Sequence, residues 1–547
     1  MKKFIKKTIK TIAFLLLLFV SIFTESTYSQ VNENWVARYT TNTGVTGADY
    51  DRAYSVDIDE QGYVYVTGAS YETVANGTDI TTIKYALNGT QEWLRSYNGP
   101  QNNFDGGIVV KTDAQGNVYV AGNAASDYVT LKYSSAGDLL WSALFVGKGP
   151  DAVRAMEIDA VGNVIITGQS DSTGSSFDIV TIKYNSSGQQ QWLSRYNGTG
   201  NFDDYPNAMV MDASGNIYIA GEVRETGGQK KDYITIKYNS AGVQQWAKEY
   251  GTPSQDDMAH GIGVDLSGNV YVTGQGATAE GDFVTLKYDP SGNQLWEKKY
   301  NGAGTYEGWA LLKVDAGGNV YISGRSTGPQ NAPDYTTIKY NTDGVQQWLV
   351  RYNGTANDTD EVYSMAIDGD ANIYLTGSSR GPGAAGRDYA TVKIDSAGVQ
   401  QWAMRYDAGF GHDEAYSIAV NSQGDVAVCG YSVGNGTGQD YAVVKYSNTS
   451  TDVSDNSGIP TGFSLYQNYP NPFNPSTKIS FSLPQSSFVN LSVYDITGRE
   501  VANPVSQQMN AGAYSVDFNA ANLSSGIYLY KISAGAFLQT KKMILIK

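Results

Sequence analysis

The chain has 547 residues, a formal charge of −16, one cysteine and two histidines. That acidic balance argues against nucleic acid and anionic lipid as partners. The lone Cys429 excludes an intramolecular disulfide, and two histidines without metal-ligand spacing argue against a transition-metal site. In chain order, Lys2, Lys3, Lys6, Lys7 and Lys10 precede the apolar run IAFLLLLFVSIF and a small polar stretch ending at Ser29. Residues 1–29 thus have the three-part form of a secretory signal, and the apolar run is too short for a spanning helix. A cut after Ser29 leaves Gln30 first, with no transmembrane helix in the mature chain and a charge of about −20.

Residues 30–447 write out one pattern repeatedly. Its clearest copy, 208–251, reads as an apolar run ending in Asp212, a D-x-x-G-N turn into IYIAG, a strand DYITIKY, and an N-x-x-G turn into QQWAKEY. Short alternating or β-branched runs bounded by Gly, Asn and Asp predict a four-stranded antiparallel meander. The second strand recurs eight times, opening at Gly62, Gly116, Gly162, Gly215, Gly268, Gly318, Ala371 and Gly424. The third also recurs eight times, each copy carrying a lysine, from Lys84 to Lys445. Tryptophan marks only seven fourth strands, from Trp93 to Trp402, and the missing eighth stands at the other end of the chain in Asn34-Trp35-Val36-Ala37-Arg38-Tyr39. A unit of about fifty residues cannot bury both faces of its own sheet and must stack on neighbours. The expected architecture is all-β: an eight-bladed β-propeller closed by its N-terminal strand.

The turns between strands one and two and between strands three and four are short and uniform. The loops between strands two and three, and between blades, are long and varied, and by meander geometry they share one face. Variation gathered on one face of a rigid scaffold marks it as the binding face. Before each first strand stand Asp51, Asp105, Asp151, Asp203 with Asp204, Asp256 with Asp257, Glu307, Asp358 with Asp360 and Glu361, and Asp413 with Glu414. A second set, Asp79 to Asp440, opens the third strands. A ring of carboxylates could bind calcium or a cationic or sugar ligand through oxygen donors. The alternative is that Asp caps turns and strand starts and pairs with the recurrent lysine. From the first set the ligand candidates are Asp105, Asp151, Asp203, Asp257, Glu307, Asp360 and Asp413; calcium is the one cation they would suit, and no other cofactor is expected. The tryptophans after N-x-x-G read as wedges between sheets. Trp309, at the start of a first strand, is instead the candidate aromatic ligand contact. His260 and His412 read as exposed loop residues.

The repeat resembles the bacterial β-propeller repeat family of exported proteins through GNVYVTG, D-Y-x-T-I-K-Y and Q-Q-W, although that family is labelled seven-bladed. Its N-x-x-G-x-x-x-W also resembles the tryptophan-docking repeat of eight-bladed quinoproteins, which implies similar packing and no quinone. Residues 448–458 are a polar linker. Residues 459–547 predict about seven short strands, a small Ig-like β-sandwich. That segment resembles the type A C-terminal sorting domain of the type IX secretion system of Bacteroidota. The matching stretches YPNPFNPST, VYDITGREV, SGIYLYKI and the basic, apolar terminus carry Tyr469, Pro470, Asn471, Pro472, Phe473, Gly498, Gly526, Lys541 and Lys542. The resemblance implies passage through the outer membrane by the type IX machinery, and usually later removal of the domain.

No catalytic residue stands out: no triad motif is present, and carboxylate-only glycoside cleavage would need one differentiated pair of acids. Three readings follow. The chain is a surface or secreted module binding glycan or protein, a polysaccharide-acting propeller enzyme, or a structural and adhesive surface protein.

Overall fold

A computed structural model describes residues 31–41, 50–71, 77–171, 176–224, 230–252, 256–276, 282–302, 307–328, 332–381, 386–435, 437–448, 463–465, 468, 473, 475–510, 512–535 and 537–545. The expected signal, nearly all of the linker and Tyr469 to Pro472 lie outside them. Every regular element among these residues is a strand, so no described helix can cross a membrane. The chain divides into two compact units, 1–450 and 451–547.

The first unit holds eight four-stranded antiparallel sheets. Numbered in chain order, sheets I to VII lie within 52–97, 105–145, 151–196, 205–250, 258–300, 307–352 and 361–406. Sheet VIII joins the three strands within 413–448 to the N-terminal strand Val31–Tyr39. Sheet IV shows how the repeat folds, with strands Tyr205–Met211, Ile217–Arg224, Lys231–Tyr238 and Gln244–Tyr250. In its first turn the Asp212 carboxylate accepts from Ser214 N and Asn216 N, both at 2.9 Å, and from the Tyr218 hydroxyl at 2.9 Å. Gly215 follows at φ +78°, a conformation that favours glycine. One Asp side chain therefore sets the turn and anchors the next strand.

The two middle strands of each sheet are covered on both faces, which explains their near-continuous β-branched and apolar runs. The threonines among them satisfy one another: Thr67 with Thr82 at 3.0 Å, Thr167 with Thr181 at 3.1 Å, Thr273 with Thr285 at 3.0 Å. Between sheets, the broad contact is through side chains, with single backbone bonds such as Asp105 N to Thr78 O at 2.6 Å and Asp204 N to Phe177 O at 2.7 Å joining neighbours beside the first strands. Tyr65 and Ile80 of sheet I cluster with Val118 and Val120 of sheet II. Equivalent clusters join each later sheet to the next, up to Tyr374 and Tyr389 of sheet VII against Val428 and Val444 of sheet VIII. Sheet VIII also packs on sheet I, through Ala427, Cys429 and Val443 against Val66 and Ile83. Cys429 is fully buried there, and burial pushes its thiol pKa well up, so it acts as a core side chain. The N-terminal strand runs antiparallel to Gln439–Asn448, pairing Val31 with Asn448 and Tyr39 with Tyr441.

The second unit contains seven strands in two antiparallel sheets. Ser464–Leu465, Ser476–Leu483 and Gly512–Asn519 form one; Glu500–Met509, Ser487–Asp495, Gly526–Ala534 and Phe537–Leu545 form the other. Phe481, Leu491, Tyr530, Ile532 and Met543 belong to the core the two sheets share. Phe473 is buried in that core and donates its N–H to Ile544 O at 2.9 Å. Gly498 closes the turn after Asp495 at φ +83°. Gly526 opens a strand whose partner carries Lys541 and Lys542.

Candidate functional site

The outer edges of the sheets repeat one contact. Each tryptophan donates its indole N–H to a turn carbonyl of the following sheet: Trp93 to Ser135 O at 3.1 Å, Trp192 to Ser240 O at 3.2 Å, Trp246 to Pro290 O at 3.1 Å. The turn glycine lies flat on the ring, and a Cβ on Gly242 would come within 2.5 Å of Trp192. Trp35 makes the same bond to Leu87 O at 2.9 Å. Trp402 is the exception, its Nε1 buried without a partner among the described residues. The turn that would receive it does not exist, because the third and fourth strands of sheet VIII come from opposite ends of the chain.

The acids before the first strands are turned onto backbone. Asp51 accepts from Thr41 N at 2.9 Å, Asp151 from Gly147 N at 2.6 Å, Asp257 from Thr252 N at 2.6 Å and Asp360 from Gly354 N at 2.5 Å. Asp105 accepts from Gly99 N and from Ala125 N, and Asp413 from Ala408 N and Val433 N. Each carboxylate thereby ties a variable loop to the start of a strand. In sheet IV the residue in this place is Asp204, fully buried and bonded to Gly198 N at 2.5 Å. Asp203 lies beside it and caps Phe177 N at 3.1 Å. Burial, with Asp178 close by, raises the Asp204 carboxyl pKa to about 7. The side chain of Glu307 lies outside the described residues.

The third-strand acids pair differently from expectation. Asp178 meets Arg195 at 3.0 Å, Asp388 meets Arg405 at 2.6 Å and Asp440 meets Arg38 at 2.7 Å, so the partner is an arginine of the outer strand. Where the recurrent lysines form ion pairs, they do so with other acids: Lys183 with Asp159 and Lys445 with Asp425. Several also lie over tyrosine rings, as Lys287 does over Tyr271 at 5.0 Å. Among the described residues one group of three carboxylates, Asp388, Asp407 and Asp413, has oxygens within 4.8 Å of one another. Arg405 and the loop amides of Ala408 and Gly409 already engage all three.

The inner edges carry the variation. Every first strand breaks register with its neighbour near its third residue. The skipped residue is Tyr54 in sheet I, Ile108 in II, Arg154 in III, Asn207 in IV, His260 in V, Tyr363 in VII and Tyr416 in VIII. A β-bulge re-aims one side chain without disturbing those around it. In sheet VI two residues are skipped. There Ala310 takes the buried place, and Trp309 projects with 61% of its surface exposed at φ +54°. A tryptophan in that backbone region is strained, which points to a use for it.

These side chains meet one another. Tyr54 stacks on Tyr416 with ring centroids 6.0 Å apart, and Tyr363 meets Tyr416 at 6.0 Å. His260 stacks on Trp309 at 4.8 Å and 20°. His260 is therefore a strand residue and not the exposed loop residue expected; burial and the Lys231 charge lower its pKa to about 4, so it is neutral at pH 7. His412 is exposed in its loop. Sequence reasoning missed the bulge positions, although each stands three residues after the buried acid in seven of the eight copies.

Two cavities open on the inner edges. One, of about 460 Å³, is bounded by first strands of sheets I, II, VI, VII and VIII and lined by Asp57, Lys111 and Lys313 among others. In it Lys111 pairs with Glu157 at 2.6 Å, and desolvation with the Lys111 charge lowers the Lys313 pKa. The other, of about 710 Å³, lies between sheets I and II beside the variable loops. Tyr50, Tyr54, Tyr71, Phe104 and Ile108 form its apolar walls, with Asn123, Thr78 and the buried Asp105, whose carboxylate is held by Gly99 N and Ala125 N, as its sparse polar groups. Tyr71 and Phe104 meet edge to face at 6.2 Å, and Phe104 is 60% exposed. Aromatic walls with a few polar groups suit the apolar face of a sugar ring.

Residues 467–547 match the family described as the secretion system C-terminal sorting domain, and residues 245–277 and 349–383 match the β-propeller repeat. No curated protein matches the chain. Among solved structures, Sqt1 from Chaetomium thermophilum is 9% identical at TM-score 0.48, over 73% of this chain and 96% of that one. PorZ, a surface component of the type-IX secretion system of Porphyromonas gingivalis, is 12% identical at TM-score 0.28, over 92% and 75%. The BP39L lectin from Burkholderia pseudomallei is 10% identical at TM-score 0.44, over 64% and 98%. Likenesses this distant carry no argument about function. The chain carries β-propeller repeats and ends in a type IX C-terminal sorting domain, which indicates export to the cell surface or secretion through the outer membrane.

Proposed function

We propose that the eight sheets are the blades of one closed propeller, with their first strands around the central cavity, and that the second unit is an Ig-like sorting sandwich. The exported protein is then a non-catalytic binding module for a neutral glycan, held in the aromatic cavity between the first two blades. The observation that carries this reading is that cavity: Tyr50, Tyr54, Tyr71 and Phe104 surround a space large enough for a short oligosaccharide. It lies on the face with the long loops, where bulges have freed a side chain from each inner strand.

Two features favour binding over catalysis. The described aspartates before the first strands hold backbone amides of loops and strand starts, whereas glycoside cleavage needs two carboxyl groups about 5 to 9.5 Å apart with one free to transfer a proton. Glu361 and Glu414 are also engaged, Glu361 by Arg325 at 2.7 Å and Arg387 at 2.9 Å, and Glu414 by the Tyr416 hydroxyl at 3.1 Å.

The test is a glycan array probed with the full mature chain in calcium and in EDTA, alongside Tyr71→Ala and Phe104→Ala. The expected result is selective glycan binding that survives EDTA and is lost in both variants. Binding that needs calcium and ignores both variants would move the site to Asp388, Asp407 and Asp413. Release of reducing ends from a bound polysaccharide would replace the module with an enzyme.

A further inference from the structure

One outer strand differs from the other seven. In the blade-edge strands the two residues before the tryptophan are Gln-Glu, Gln-Gln, Gln-Leu or Glu-Asn, the third residue after it is Ser, Arg, Glu or Lys, and the tyrosine is followed by Asn, Asp, Gly or Thr. In sheet II, strand Leu139–Phe145 reads Leu-Leu-Trp-Ser-Ala-Leu-Phe and continues into Val146. All four otherwise mostly polar places are apolar, and the strand carries no charge. Leu139, Leu140, Leu144 and Val146 are 50%, 52%, 41% and 60% exposed.

This strand is a sheet edge. It pairs only with Asp127–Tyr133 among the described residues, so its other side presents a row of backbone groups. Edge strands usually guard that row with charge, because an exposed apolar edge is a template for pairing. The change also forgoes an ion pair. Leu144 stands where Arg195 and Arg405 stand in their own sheets, and Asp127, the counterpart of Asp178 and Asp388, is left with Gln101 at 3.1 Å.

We propose that this edge pairs with the same edge of a second copy, forming a two-fold dimer in which two four-stranded blades join as one eight-stranded sheet. Two observations select a second copy. The sequence is symmetric about Ser142: Leu140, at the bulge where the strand slips against Tyr133, and Leu144 stand two residues to either side and are both exposed, so antiparallel self-pairing centred on Ser142 sets Leu140 against Leu144 of the partner twice, with the small serine on the axis. The chain is also strongly acidic, so two copies approach best where neither presents charge. Trp141 and Phe145 pack on sheet III, so pairing through the leucines leaves that packing in place.

Sedimentation velocity on the full mature chain tests this over a dilution series. The wild type should sediment as a dimer that dissociates on dilution, and Leu140→Gln/Leu144→Arg as a monomer throughout. That variant installs residues already present in sister strands and gives Asp127 an arginine, so its melting temperature should be unchanged or higher, which separates lost pairing from misfolding. Ser142→Cys should form a covalent dimer on oxidation, since position 142 meets its own copy and Cys429 is buried, while Gln91→Cys on the outer strand of sheet I should not. A wild type that stays monomeric, a variant that dimerises unchanged, or failure of Ser142→Cys to crosslink would each overturn the proposal. A monomer that floats with phosphatidylcholine vesicles through the same leucines would replace the second copy with a lipid surface.

Discussion

The outer and inner edges of the same eight sheets follow opposite rules. Outside, an indole N–H, a turn carbonyl and a glycine recur almost unchanged, from Trp35 on Leu87 to Trp348 on Ser396. Inside, the bulge presents Tyr, Ile, Arg, Asn, His, Trp, Tyr and Tyr in turn. A repeat whose packing contacts are alike all round can change one inner residue per sheet at little structural cost, because a bulged side chain has no cross-strand partner to lose. Trp246 and Trp309 make the contrast within one residue type: the first is wedged between sheets, the second stands in the open against His260.

The sharpest way to break that contrast is to truncate both. Trp246→Ala should cost about 3 to 5 kcal/mol in denaturant unfolding, whereas Trp309→Ala should stay within about 1 kcal/mol. Equal losses would make the inner edge scaffold as well. Next comes pH. Because the Asp204 pKa is raised to about 7 in the folded chain, the folded state holds a proton that the unfolded chain releases near pH 4. The stability this group contributes is therefore present below about pH 4 and lost as pH rises through about 7. Asp204→Asn should flatten that dependence, gaining roughly 1 to 3 kcal/mol on the wild type between about pH 5 and about pH 8; parallel urea curves at both pH values would show that the loop anchor does not titrate. On the inner edge, Tyr54→Ala should weaken glycan binding about tenfold, near 1.4 kcal/mol, with unfolding nearly unchanged. The smallest effect lies at the seam. Trp246→Phe loses a hydrogen bond and should cost about 1 kcal/mol, while Trp402→Phe loses an N–H that has no partner and should cost less. Calorimetry on the pair would settle whether the seam indole is idle.

Much of the scaffold was legible in the residues. The displaced copy Asn34 to Tyr39 announced that the first strand completes the last sheet, and D-x-x-G-N and N-x-x-G announced turns whose glycines sit at positive φ. Those signals are local, and backbone sterics decide them within a few residues. The inner edge was less legible because a bulge is a slip of register between two strands, invisible in either alone. That slip carried His260 out of its expected loop role, and a two-residue version of it exposed Trp309 in place of Ala310. Partner choice among charges also escaped the pattern. The lysine recurs in every copy and the outer-strand arginine in four, at Arg38, Arg195, Arg351 and Arg405, and only the side of the sheet each leaves from tells that arginine reaches the third-strand aspartate. In the pair Asp203 and Asp204, one residue of register decides which is buried.

The seam of sheet VIII has a mechanical consequence. Val31 and Asn448 are paired at the same end of two antiparallel strands. Tension drawn through Asn448 along its strand loads every hydrogen bond of that pair together, in shear, and loads the bonds to the strand on its other side as well. A pull that separates Val31 from Asn448 would instead open the bonds one after another. Asn448 is the end from which the chain runs on toward the sorting domain at 467–547. The clasp is thus loaded in its strong direction by tension from the sorting-domain side.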